Sequence, residues 1–236
     1  MTYTITPLLT GVRNPDQGMM TYLQGHGQRI WLCIWAFLVQ GHGKNILIDT
    51  GLSEDEAISP QGFKEETGLE VKTLTEALAD VGLTPKDIHA VINTHLHDDH
   101  CGNNPLFSKA EFYAHEKELD FCRNPHPLDH RMDEQFIEGI EFKTLKDDVE
   151  LFPGIEVFFT PGHTPGTISV RVDTASGPVI IPGFCCNAKN FPATGPAICP
   201  GVHGDAYQAY DNAQKVKAMR GTIIPVHDVC VGKMKF

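Results

Sequence analysis

Basic residues are in short supply. Nineteen Lys and Arg against 30 Asp and Glu give the 236-residue chain a formal net charge of −11. Recognition of a phosphate backbone relies on clustered Lys and Arg, and no such patch stands out, so no nucleic-acid partner is expected. Long apolar runs are missing as well. The run over 30–39 is too short to span a bilayer and is broken by Gln40-Gly41, so no membrane association is expected. Met1 to Pro7 has neither the basic segment nor the apolar stretch of a secretory leader. The seven cysteines are odd in number and unevenly spaced, which excludes a disulfide framework and points to a reducing cytoplasm. No linker or low-complexity stretch interrupts the chain, and 41% hydrophobic content suffices for one sizeable core. Residues 1–236 therefore read as a single domain.

What is present is histidine at the ends of strands. His95-Leu96-His97-Asp98-Asp99-His100 follows the apolar run 88–92, a buried strand closed by Asn93-Thr94. Side chains at i and i+2 of an extended segment point the same way, so His95 and His97 can converge on one ion. A turn after them carries Asp99 and His100 to a different position, beside a second ion. Imidazole with carboxylate suits zinc, and also iron or manganese. A polar loop decorated with histidines is the plain alternative; three imidazoles and a carboxylate at this spacing favour metal.

The surrounding pattern is an alternation of strands and helices. Residues 1–10 read as an edge strand, and 30–39 with 45–48 as a hairpin closed by Asp49-Thr50-Gly51. Thr73 to Glu76 is a capping box that opens a helix with Leu74, Ala77, Leu78 and Val81 on one face and Gly82 as its stop. His115 reads as the exposed polar start of a helix. Residues 121–139, with Cys122, His126, Asp129, His130 and Met132, read as a cap or substrate-facing loop. Two edge strands over 142–145 and 148–151 precede a stronger strand, 155–160, which delivers His163 between Pro161-Gly162 and Pro165-Gly166. A second hairpin covers 168–172 and 178–181. Asp205 caps a helix over 206–219 with Ala206, Ala209, Ala213, Val216 and Met219 facing inward, and the strand 222–226 ends at His227.

The His95–His100 fragment resembles the H-x-H-x-D-H signature of the metallo-β-lactamase fold hydrolases, and His163 and His227 sit in the settings of that family's later ligands. The resemblance implies an α/β fold: a four-layer αββα sandwich of two mixed sheets packed face to face, helices outside. It implies a first metal held by His95, His97 and His163 and a second by Asp99, His100 and His227, with Asp49 supporting the site from behind. Zinc is the expected cofactor, as one or two ions. The implied reaction is hydrolysis of a small carbonyl substrate (lactone, ester, thioester or cyclic amide) by metal-activated water, with Asp99 catalytic.

Trp35 to Val39, Asp49-Thr50-Gly51 and the segment 153–166 look most like the N-acyl homoserine lactonases. One departure concerns the Asp that bridges both metals in the family: Gly183 stands nearest its place, and Cys186 falls where those lactonases carry a tyrosine. Cys185 and Cys186 are therefore candidate replacement ligands; two small buried hydrophobes are the plain reading. A catalytically silent metal- or ligand-binding protein and an iron-dependent redox enzyme are the alternatives, and the missing Asp counts against the latter. The acidic chain should prefer a small neutral or cationic substrate to a polyanion, and a homo-oligomer is compatible with the sequence.

Overall fold

The computed structural model of the protein describes residues 2–236. Continuous apolar runs build the centre of the first sheet. In it, β1 (Thr4–Arg13) pairs antiparallel with β2 (Leu32–Gly41), which pairs antiparallel with β3 (Lys44–Ile48). Leu32 to Val39 are all buried because β2 is covered on both faces. Cys33, Trp35, Phe37 and Val39 face one core; Ala36 and Leu38 face another, shared with Leu74, Ala77 and Leu78.

Two helices follow, α1 (Phe63–Thr67) and α2 (Leu74–Asp80). The Thr73–Glu76 capping box opens α2 as expected. Val81 is 40% exposed, however, because the helix ends at Asp80 and the turn at Gly82 carries Val81 off the buried face. Parallel pairing then extends the sheet through β4 (Ala90–Ile92), past the short α3 (Asp98–Cys101), to β5 (Glu111–His115). Helix α4 (Glu116–Arg123) leads back to the edge strand β6 (Phe142–Leu145), giving the order β1-β2-β3-β4-β5-β6.

The second sheet is β7 (Val149–Phe152), β8 (Ile155–Phe159), β9 (Ile168–Thr174) and β10 (Gly177–Ile181) in antiparallel succession. After α5 (Ala206–Ala218), β11 (Thr222–Ile223) pairs parallel with β10. Asp205 caps α5 by accepting from the Gln208 amide. Val157, Val170 and Val179 of this sheet share one cluster with Phe37, Ile46 and Ile92 of the first, and α5 adds Ala213 and Val216. Two mixed sheets thus lie face to face with helices outside. No helix among the described residues is long and apolar enough to cross a membrane.

Candidate metal centre

His95, His97, His163 and His227 follow the ends of strands, and His100 lies in the short helix α3. Parallel pairing of β3 and β4 brings Asp49 beside Thr94, and α3 starts directly after His97, so the backbone turn expected there is one helical turn. His95, His97 and His163 each offer a ligand atom within 4.8 Å of the others, and His95, Asp99 and His100 form a second such group. His227 stands on the far side of His100, ring centroids 5.3 Å apart. All six side chains are buried.

Hydrogen bonds decide which nitrogen of each ring is left free. His163 Nδ1 donates to the Val202 carbonyl at 2.8 Å and His227 Nδ1 to the Cys33 carbonyl at 2.9 Å. His100 Nδ1 donates to Asp49 Oδ2 at 2.7 Å, and His97 Nε2 to Asp129 Oδ2 at 2.9 Å. Thr94 Oγ1, itself donating to Asp49, faces His95 Nδ1 at 3.2 Å. The remaining atoms, His95 Nε2, His97 Nδ1, His100 Nε2 and His227 Nε2, are buried with no hydrogen-bond partner among the described residues. Buried polar atoms are normally paired, and leaving one unpaired costs roughly 1–3 kcal/mol. Four such lone pairs gathered with a carboxylate fit a cation.

Charge divides the rings: against its burial, the Asp49 and Asp99 carboxylates hold His100 above the ordinary histidine value. Burial first, and neighbouring imidazoles second, hold His95 and His163 well below the ordinary histidine value, so both rings are neutral donors at neutral pH. Burial opposes ionisation of Asp99, but His100, His227 and Arg13 outweigh it and hold the carboxyl below its usual range.

A sequence model of the metallo-β-lactamase superfamily matches residues 31–183. The chain belongs to the metallo-β-lactamase superfamily. Among curated relatives, an N-acyl homoserine lactonase of a Bacillus species is 30% identical over 165 residues, 66% of this chain and 64% of its own length. A probable metallo-hydrolase of Methanocaldococcus jannaschii is 34% identical over 162 residues, 69% of this chain and 68% of its own. The chain thus spans less than two thirds of the lactonase it matches. The crystal structure of a variant of B. thuringiensis AiiA with N-decanoyl-L-homoserine bound at the active site superposes with TM-score 0.79 at 25% identity, covering 99% and 96% of the two chains. An N-acyl homoserine lactone hydrolase with product N-hexanoyl-L-homoserine at its catalytic metal center gives the same figures.

Within this metallo-β-lactamase fold the Asp49 carboxylate takes three hydrogen bonds, from the Thr94 amide, the Thr94 hydroxyl and His100. Its residue adopts φ 59°, a left-handed conformation that Asp and Asn tolerate best after glycine. Gly51 closes the turn because a Cβ there would lie 1.9 Å from Thr10 Oγ1. Exchanging Asp49 for Asn keeps the backbone but removes the charge that orients His100. A roughly 10–100-fold weaker affinity for zinc is expected, read by competition with a chromophoric chelator.

Gly183, nearest by counting to the place of the family's bridging Asp, is confined to glycine by its packing. A Cβ on Gly183 would approach the Ile168 carbonyl oxygen to 1.8 Å, so no side chain fits there. The residue facing the site is Cys185, whose Sγ is 3.7 Å from His163 Nε2. Burial pushes its thiol up to about 12. Cys186 instead lies in the apolar core between the sheets, and its carbonyl accepts from the His227 amide. His115 caps α4 but is buried rather than exposed: it stacks on Phe159, accepts from the Lys117 amide and donates to the Lys146 carbonyl. No lone pair is left for a metal.

Two supporting residues escaped the sequence reading. Asp129 orients His97 across 32 residues of sequence and is bracketed by Arg131, whose carbonyl accepts from the Asp98 amide. Nothing local signals that pairing. Glu118 is fully buried and accepts from the Leu96 amide at 2.9 Å, the Thr164 hydroxyl at 2.6 Å and the Gly166 amide at 3.0 Å. It thereby ties the loop of His95 and His97 to that of His163. Its place one helical turn before buried Cys122 was the available cue.

Burial raises Glu118 from 4.5 to about 7, so the folded chain holds a proton that the unfolded chain releases earlier. Its stabilisation is complete below about pH 4.5 and lost as pH rises through 7, a fall of about 3 kcal/mol. Denaturant unfolding at pH 5 and pH 8 should show that slope in the native protein and not in Glu118→Gln. An equal slope in both would refute it.

Proposed function

We propose that the protein is a metal-dependent hydrolase of a small carbonyl substrate, lactones being the first class to test. The observation that carries this is the set of four buried, unpartnered imidazole nitrogens, with His95 shared between a group holding His97 and His163 and a group holding Asp99 and His100. His95, His97 and His163 would hold one ion and Asp99, His100 and His227 a second. Nitrogen and oxygen donors in this mixture suit zinc, with iron or manganese as the competitors. When bound, such an ion supplies Lewis acidity, lowering the pKa of water from 15.7 to about 7 and polarising a carbonyl.

The chain supplies the rest. Asp49 and Asp129 fix the imidazoles in tautomer and direction, so little reorganisation remains at the moment of reaction. Asp99 would take a proton from the attacking water at a carboxylate oxygen and pass it to the leaving group. A cleft of about 590 Å³ reaches His163 between Phe121 and Leu128 on one side and His203 on the other, a size that takes a small molecule. Lys117 and Arg131 line it together with Asp129 and Asp205, so neither sign of charge dominates.

Lactones lead because the curated relatives are named as lactonases and the neighbouring crystal structures hold acyl-homoserine products. Zinc-loaded protein assayed on lactones, thioesters, cyclic amides and phosphodiesters tests the reading. Turnover of one of the first three supports it; preference for phosphodiesters sinks it. A metal carrier without catalysis is the second reading, favoured because Gly183, nearest the place of the family's bridging Asp, has no room for a carboxylate. Full zinc occupancy with no turnover on the whole panel would select it.

A further inference from the structure

A thiol stands against His163, a member of the first ligand set. Cys185 is 6% exposed and rests on Met20, Leu32, Ile34 and Leu52, so apolar side chains fix it from behind. Its Sγ is turned toward His163 Nε2, the ring atom left over once Nδ1 is committed to Val202. The unpartnered nitrogens of His95 and His97 belong to rings that pack edge-on against His163, centroids 4.7 and 4.8 Å away.

We propose that Cys185 is a metal ligand of this centre, its thiolate joining the set of His95, His97 and His163 on the side of His163. This rests on the metal reading given above. Binding breaks the S–H bond, forms a metal–sulfur bond and releases the proton to solvent, with no change in oxidation state. One negative charge is thereby restored where the family's carboxylate is missing. It reduces the repulsion between two cations in a water-poor site. Sulfur also narrows the choice of metal: thiolate favours zinc and cobalt over manganese or magnesium.

Cobalt(II) substitution of the purified protein tests the assignment. The native protein and Cys186→Ser should both show an intense near-ultraviolet sulfur-to-cobalt charge-transfer band. Cys185→Ser should lose it while keeping the weaker visible bands of cobalt held by the histidines. X-ray absorption of the zinc protein should show sulfur at about 2.3 Å. Cys185→Asp should bind zinc without that sulfur, and its zinc-over-manganese preference should shrink by more than the roughly 10–100-fold change that an outer partner causes. Visible cobalt bands without the charge-transfer band in the native protein would overturn the proposal, as would its loss in Cys186→Ser alone. If the native protein takes up no cobalt or zinc, the metal reading itself fails and this assignment falls with it.

Discussion

Replacing His97 by Ala should leave a folded protein that takes up little zinc beside His95 and His163 and shows no hydrolysis above background. The ring sits at the start of α3, outside the apolar clusters that hold the sheets together, so its loss removes ligand capacity rather than core. Asp129, its partner, keeps Arg131 and is not stranded as an unpaired charge. With one of three imidazoles gone, affinity should fall by more than the roughly 10–100-fold that loss of an orienting partner causes. Elemental analysis after dialysis gives the zinc per chain, and far-ultraviolet circular dichroism checks the fold. Chelator-stripped native protein should regain activity on adding zinc, and the variant should not. Full zinc uptake by the variant would remove His97 from the centre.

Asp99→Asn should lower kcat by roughly 10²–10⁴, the usual contribution of a positioned proton-transfer group, with much less effect on KM. Asn preserves the shape of the side chain in α3 but can neither carry the charge nor accept the proton. The imidazoles of His95, His97 and His163 are untouched, so zinc held by them should persist while the position shared with His100 and His227 weakens. Steady-state kinetics alongside zinc content separates the two effects. A kcat within about tenfold of the native value would deny Asp99 a part in proton transfer.

The hairpin of β2 and β3, the Thr73 capping box and the Asp205 cap were legible because their causes are local: apolar runs, turn residues and side chains that bond a nearby amide. His95 and His97 were legible for the same reason, since i and i+2 in an extended segment must share a side. Local rules failed where a neighbour distant in sequence decides. His115 looks exposed as a polar helix start, yet Phe159 of the other sheet covers it. Counting residues put Gly183 in the bridging place, while the backbone of Ile168 fills the space a side chain would need.

The sequence by itself determined the strand-end histidines, the apolar run that buries β2 and the presence of two adjacent cysteines. Only the packing of one sheet on the other decided which of those cysteines faces the site. Successive residues in extended chain point to opposite sides, and the core between the sheets claimed Cys186, leaving Cys185 toward His163. The same packing set the free nitrogen of each imidazole. That choice belongs to the acceptor on the other ring atom, and Val202, Cys33, Asp49 and Asp129 come from loops and strands 32 to 194 residues away. Glu118, joining the two histidine loops, became visible only once β5 and α4 had carried it between them. Hydrogen bonds act over about 3 Å, and only tertiary structure brings groups so distant in sequence within that range.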